Sequence, residues 1–327
     1  MSNPASLLNL TNDRIAASVI FGVGLIGIIV NFTGVLLTFR IRALRTSFGR
    51  LTAVHCSADC AILAIFTFWC APRTFFEYHD HTSLLSRKMG QVSLYFWFIT
   101  LYSQLFISLN RFSLLFFPKF YKEIFLNRTR HLIIFYGIVC LGHFCVYFGE
   151  GCDFYYNGET YFWEFADTPC GDSISFWLDF IFGCTICVIV LLLDVVCVVN
   201  MRRSDAMMGD RLDSNERKLR SHREMRFLAQ ACCTGLLFTL MLTSFHVISR
   251  YVEGTWPTFV TTTLVWELSH LGDGIILFTF NSEMKRALMN PRLLFSFSTI
   301  NSSATQTTRV SSTGSRQHRE VSIIAVR

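Results

Sequence analysis

Apolar residues run through this chain in seven long stretches, at residues 15–39, 51–71, 89–110, 132–149, 173–200, 227–249 and 258–281, and none shows the one-sided stripe of a soluble amphipathic helix. A bilayer core about 30 Å thick needs roughly 20 residues of helix, and lipid offers no partner to an open backbone amide. Each stretch therefore predicts a membrane-spanning helix. After the last of them, Phe280, Met284, Ala287 and Leu288 recur at helical spacing around Lys285 and Arg286, and Pro291 ends the pattern. That spacing predicts a short helix lying on the membrane surface. The expected fold is an all-α membrane protein, a seven-transmembrane helix bundle with a short amphipathic eighth helix. Its organisation is a short outer amino terminus over 1–14, the seven-helix domain with its eighth helix over 15–290, and a cytoplasmic tail over 291–327.

Composition agrees: 52% of the 327 residues are hydrophobic and only 16% are charged, more apolar surface than one soluble core needs. The net charge of +6 suggests nucleic acid only until the charges are placed. With the amino terminus outside, segments 40–50, 111–131, 201–226 and the chain after 281 are cytoplasmic and hold 24 of the 29 Lys and Arg. The positive-inside rule selects this orientation and leaves no basic surface for nucleic acid. The first stretch follows only fourteen residues and lacks a small-residue cleavage site, so it reads as a retained signal anchor. Asn9-Leu10-Thr11 is a glycosylation sequon on the outer side. Residues 296–315 include twelve Ser or Thr, a composition expected to be disordered and open to kinases and, through phosphate, to arrestin.

Apart from Cys70, near the outer end of the second predicted helix, nine of the twelve cysteines fall inside predicted helices, where a thiol packs as a small apolar group. Cys152 and Cys170 lie in the outer segment 150–172, which also holds six acids and no Lys or Arg. A bridge between these two is the preferred pairing, with a bridge from either one to Cys70 as the alternative.

A charge at the centre of a bilayer costs about 2.5–3.5 kcal/mol on insertion scales, so each retained one calls for a reason. Asn31, Asp59 and Asp273 fall at middle depth in the first, second and seventh spans, where they could share hydrogen bonds, waters and one sodium ion; the bland alternative is a packing cluster. Asp179, His246, Glu267 and His270 are candidates for an outer ligand cavity walled by Trp266, against a bland reading as interhelical hydrogen bonds.

At the inner end of the third span stand Asn110-Arg111-Phe112 and Phe116-Phe117-Pro118; Ser57-Ala58-Asp59 lies in the second, Arg226-Phe227-Leu228-Ala229-Gln230 opens the sixth, and Asp273-Gly274-Ile275-Ile276 leads to Phe280-Asn281 in the seventh. In order and spacing these resemble the rhodopsin-like G-protein-coupled receptors, and most closely the nematode serpentine chemoreceptors of class X, over about residues 15–290. The resemblance implies a chemosensory receptor coupling an extracellular small molecule or peptide to a heterotrimeric G protein, in the plasma membrane of a sensory cilium. It implies that Arg111 meets the G protein, with Arg226 on the same inner face. Because Asn110 replaces the family's usual acid, Glu224 is the expected resting restraint on Arg111. The seventh-span Asp273-Gly274 replaces the usual Asn-Pro, and the sixth span lacks its usual Trp and Pro.

A retinal photoreceptor needs a Lys in the seventh span, and none is there. A metal-dependent membrane enzyme would need His and acid ligands converging at one depth, and the sequence shows no matched set; no enzyme activity is expected. A neuropeptide receptor is the alternative within the class, since the acidic outer segment would attract basic peptides. A transporter or channel is the alternative outside it, although neither an internal repeat nor a pair of broken helices is visible.

Overall fold

The computed structural model describes residues 4–77, 83–207 and 214–289. The side chains of residues 4–9, 43, 204–207, 214–225, 227 and 228, and with them those of Asn9 and Glu224, lie outside the described residues, as does the tail. Seven helices form the bundle: α1 (Pro4–Arg40), α2 (Ser47–Phe75), α3 (Leu84–Phe116), α4 (Thr129–Val146), α5 (Pro169–Arg203), α6 (Ser214–His246) and α7 (255–280). Six of them, α1 to α6, are long and apolar enough to cross a membrane. The remaining helix, α7, packs on α1, α2 and α6 and keeps Glu267, His270 and Asp273 buried. α8 (Ser282–Met289) follows after Asn281, whose Oδ1 accepts from the amides of Glu283 and Met284.

The distribution of side chains is that of a protein solvated by lipid. Ile29, Phe32, Ile134, Phe135, Ile138, Leu192 and Leu236 point outward, while Asn31, His55, Asp59, Thr100, Glu267 and His270 are buried. Hydrocarbon solvates the first set, and the second must find partners within the bundle.

Local chemistry fixes where the helices start. Ser83 caps α3 by accepting from the Ser86 amide, and Thr168 caps α5 by accepting from the Gly171 amide at 3.0 Å, with Pro169 in the first turn. Wide π turns interrupt α2 at Phe66–Cys70, α5 at Ile174–Ile181 and α7 at Val260–Leu264.

Between α4 and α5 the chain forms a hairpin, β1 (Phe154–Asn157) paired antiparallel with β2 (Phe162–Phe165). Cys152 and Cys170 are bonded across its base, with Cα atoms 5.1 Å apart, and Cys70 is a buried free thiol. The hairpin is a lid turned inward. Phe154 stacks on Trp163 at 5.2 Å, and Trp163 meets Phe66 at a tilt and Trp266 edgewise. Tyr156 shares a 2.6 Å hydrogen bond with Thr74 of α2, and Arg87 of α3 pairs with Asp153 at 3.2 Å. Tyr161, with φ +63°, donates to Asp13 of α1; burial first, and then this carboxylate, raise the phenol above its usual range, so it remains the donor at physiological pH.

Gly90 lets this lid seat on α3. A Cβ there would stand 1.8 Å from the Phe154 carbonyl oxygen, an atom of backbone that cannot rotate away. Gly90→Ala is expected to cost about 1–3 kcal/mol by overpacking. Thermal unfolding of the purified receptor checks this; an unchanged unfolding temperature would show that the hairpin yields freely.

Candidate functional site

The polar groups gather at three depths. At mid-depth, His55 and Asp59 share one face of α2 four residues apart, and His270 and Asp273 share one of α7 three residues apart. His55 Nε2 hydrogen-bonds Asp273 Oδ2 and lies 3.6 Å from Asp59 Oδ2. His270 Nδ1 is 2.8 Å from Asp59 Oδ1, which also accepts from Thr100 at 3.2 Å. Thr234 of α6 donates to Asp273 Oδ1 at 2.9 Å, and Ser103 of α3 is 2.8 Å from His55 Nδ1. Asn31 joins from α1 by donating to the His270 carbonyl at 3.1 Å. Gly274 makes that approach feasible, since a Cβ there would stand 2.8 Å from Asn31 Oδ1. Five helices thus meet on one cluster. Asn31, Asp59 and Asp273 are all in it, and His55 and His270 stand beside the acids. His55 was absent from the sequence reading, although its four-residue spacing from Asp59 was the signal.

Beneath the hairpin, Leu94, Trp97, Phe154, Phe245, His246 and Trp266 line a cavity of about 10 Å³, room for about one water. Its polar wall is Asp179, which accepts from Trp97 Nε1 at 2.7 Å and pairs with His246 Nε2 at 3.0 Å. Ser175 lies 3.2 Å from the other nitrogen of His246. Of the four residues expected to line a cavity together, the structure gathers Asp179 and His246 here. It places the other two elsewhere: His270 turns to Asp59, and Glu267 sits against Gly24 of α1, its carboxylate without a hydrogen-bond partner among the described residues.

Near the carboxy-terminal end of α3, Arg111 Nη1 meets Asp194 Oδ1 of α5 at 3.1 Å, and Ser108 donates to Asp194 Oδ2 at 2.8 Å. The Arg111 guanidinium lies over the Phe48 ring at 5.6 Å. Asn110 turns away and donates to Ser47 of α2 at 2.8 Å, while Phe112 packs against Phe116 at 4.6 Å. Arg226 is exposed. The expected restraint by Glu224 falls outside the described residues; Asp194 of α5 is a partner the structure supplies.

This arrangement matches known proteins across most of its length. A family model described as serpentine type 7TM GPCR chemoreceptor Srx covers residues 21–281. Among curated relatives, Serpentine receptor class X 45 of Caenorhabditis elegans is 29% identical over 295 residues, covering 85% of this chain and 82% of the relative. Serpentine receptor class X-43 of the same organism is 27% identical over 287 residues, covering 85% and 87%. The crystal structure of squid rhodopsin superposes with a TM-score of 0.72 at 16% identity, covering 87% of each chain, and shares the fold. The matched family model spans six of the seven helices in full and most of α1, and so the chain belongs to the serpentine seven-transmembrane chemoreceptor family Srx, a family of G-protein-coupled receptors.

Proposed function

We propose that this chemoreceptor lies in the plasma membrane with its amino terminus outside, takes a small extracellular ligand beneath the hairpin, and signals through Arg111 to a heterotrimeric G protein. One observation carries the reading: the same two helices, α3 and α5, are pinned to each other twice, by Trp97–Asp179 in the outer half and by Arg111–Asp194 at the inner end. Fourteen residues of helix separate Trp97 from Arg111, about 21 Å along the axis. A ligand that competes for Asp179 changes how α5 sits on α3, and the inner pair feels the same displacement.

The resting cavity holds about one water, so a ligand enters by lifting the aromatic lid formed by Phe154 and Trp163. Its chemistry follows from the walls, aromatic faces plus one acid with its histidine, and suits a compact molecule bearing a hydrogen-bond donor. Basic residues on the inner loops support the orientation and give an acidic G-protein surface a partner. The Ser/Thr tail gives kinases, and then arrestin, their substrate.

The test is a G-protein activation assay on cells challenged with small volatile and water-soluble metabolites, comparing wild type with Asp179→Asn at matched surface expression. The substitution removes a charge-assisted pairing, and potency should fall about tenfold or more. Unchanged potency would move the ligand site away from Asp179.

A further inference from the structure

The mid-depth cluster holds more than a hydrogen-bond network needs. Three atoms point inward at one another: His55 Nε2, Asp59 Oδ2 and Asp273 Oδ2, all within 4.8 Å. The atoms on their far sides are each held from behind. Ser103 takes His55 Nδ1, Thr100 and His270 take Asp59 Oδ1, and Thr234 takes Asp273 Oδ1. Outer partners that fix ring orientation and leave the inner lone pairs convergent are the second shell of a metal site. Asp59 Oδ2 is fully buried, has no hydrogen-bond partner among the described residues and is aimed into this space. We infer that His55, Asp59 and Asp273 form a binding site for a first-row divalent cation of the zinc class.

The donor set decides the class. Sodium, the ion the sequence reading placed near Asp59, is a hard cation that takes oxygen ligands, and here an imidazole nitrogen stands between the two carboxylates. Sodium does not fit that position, whereas nitrogen and carboxylate together suit zinc, cobalt or nickel. Charge points the same way. Stripped of the proton that His55 and Asp273 share, the two carboxylates and the imidazole carry two negative charges in an apolar interior; one dication cancels both, and a monovalent ion leaves one uncompensated. Geometry agrees as well. Ligands about 2.1 Å from a tetrahedral zinc lie about 3.4 Å apart, and His55 Nε2 already lies 3.6 Å from Asp59 Oδ2. Binding displaces the proton shared by His55 and Asp273, which must part to a similar separation. With three protein ligands, the fourth position takes water. The site ties α2 to α7, so the cation would brace the bundle at its centre.

The test uses the full-length receptor purified into phospholipid nanodiscs, with Zn²⁺, Na⁺ and Mg²⁺ added singly at matched ionic strength. Zn²⁺ should raise the unfolding temperature in a saturable way, and Na⁺ and Mg²⁺ should not. Asp59→Asn and Asp273→Asn should abolish the shift, while replacing the exposed thiols Cys145, Cys232 and Cys233 by Ser should leave it intact. Because the core variants risk misfolding, Co²⁺ absorption on wild type gives a second reading: visible bands of nitrogen and oxygen ligation without thiolate charge transfer. Stabilisation by Na⁺ in place of Zn²⁺, a Zn²⁺ shift that survives Asp59→Asn, a thiolate spectrum, or no response to any cation would each overturn the assignment.

Discussion

Asp194→Asn should raise ligand-independent G-protein output several-fold at matched surface expression. Arg111 is held by a carboxylate that is 4% exposed, and Ser108 fixes the other oxygen of that carboxylate, so the arginine meets an oriented charge in a desolvated place. Neutralising Asp194 keeps the shape of the side chain and removes the charge-assisted part of the contact, which for a charged hydrogen bond is worth about 1.5–3 kcal/mol. Each 1.4 kcal/mol taken from the resting state multiplies the active-to-resting ratio about tenfold. If the active state is about 1% of the resting population, output rises far above baseline before it saturates. Basal nucleotide exchange in membranes reads this directly. Output equal to wild type would mean that Asp194 fixes packing and does not restrain the switch.

Removal of the Asp273 side chain should have the largest effect on stability. Asp273 receives His55 from α2 and Thr234 from α6, and all three are buried. Asp273→Ala takes away the one carboxylate those groups share and leaves an imidazole and a hydroxyl in an apolar interior. Breaking a buried ionic pair by deleting one partner costs about 3–5 kcal/mol, much of a typical domain's margin. Little of the variant should reach the surface, and what does should unfold at a clearly lower temperature. Asp273→Asn keeps an acceptor for Thr234 and should fall between. Normal surface expression of Asp273→Ala would show that water or another side chain replaces the carboxylate at little cost.

The seven helices were legible because a bilayer imposes one length and one composition on each span. Their ends were not, since apolarity stops at the interface and backbone hydrogen bonding does not: α3 runs from Leu84 to Phe116 where the apolar stretch covers 89–110. The hairpin escaped because its strands are four residues each, and its buried aromatics, Phe154, Tyr156 and Trp163, sit among acids that dominate the composition of that segment. Glu267 and His270 looked like cavity partners by spacing. Three residues of helix turn about 300°, however, which leaves the two about 60° apart and able to face different neighbours. Of these, Glu267 meets Gly24, and His270 meets Asp59. Arg111 was legible from its motif, but its contact with Asp194 depends on how α5 rotates against α3, which no local pattern specifies.

The central claim, that a signal crosses this bundle from beneath the hairpin to Arg111, is tested most directly by ligand-evoked nucleotide exchange on a heterotrimeric G protein, wild type beside Arg111→Ala at equal surface density. The structure predicts a ligand response in the wild type that disappears in the variant while ligand binding persists. An equal response in both would contradict it.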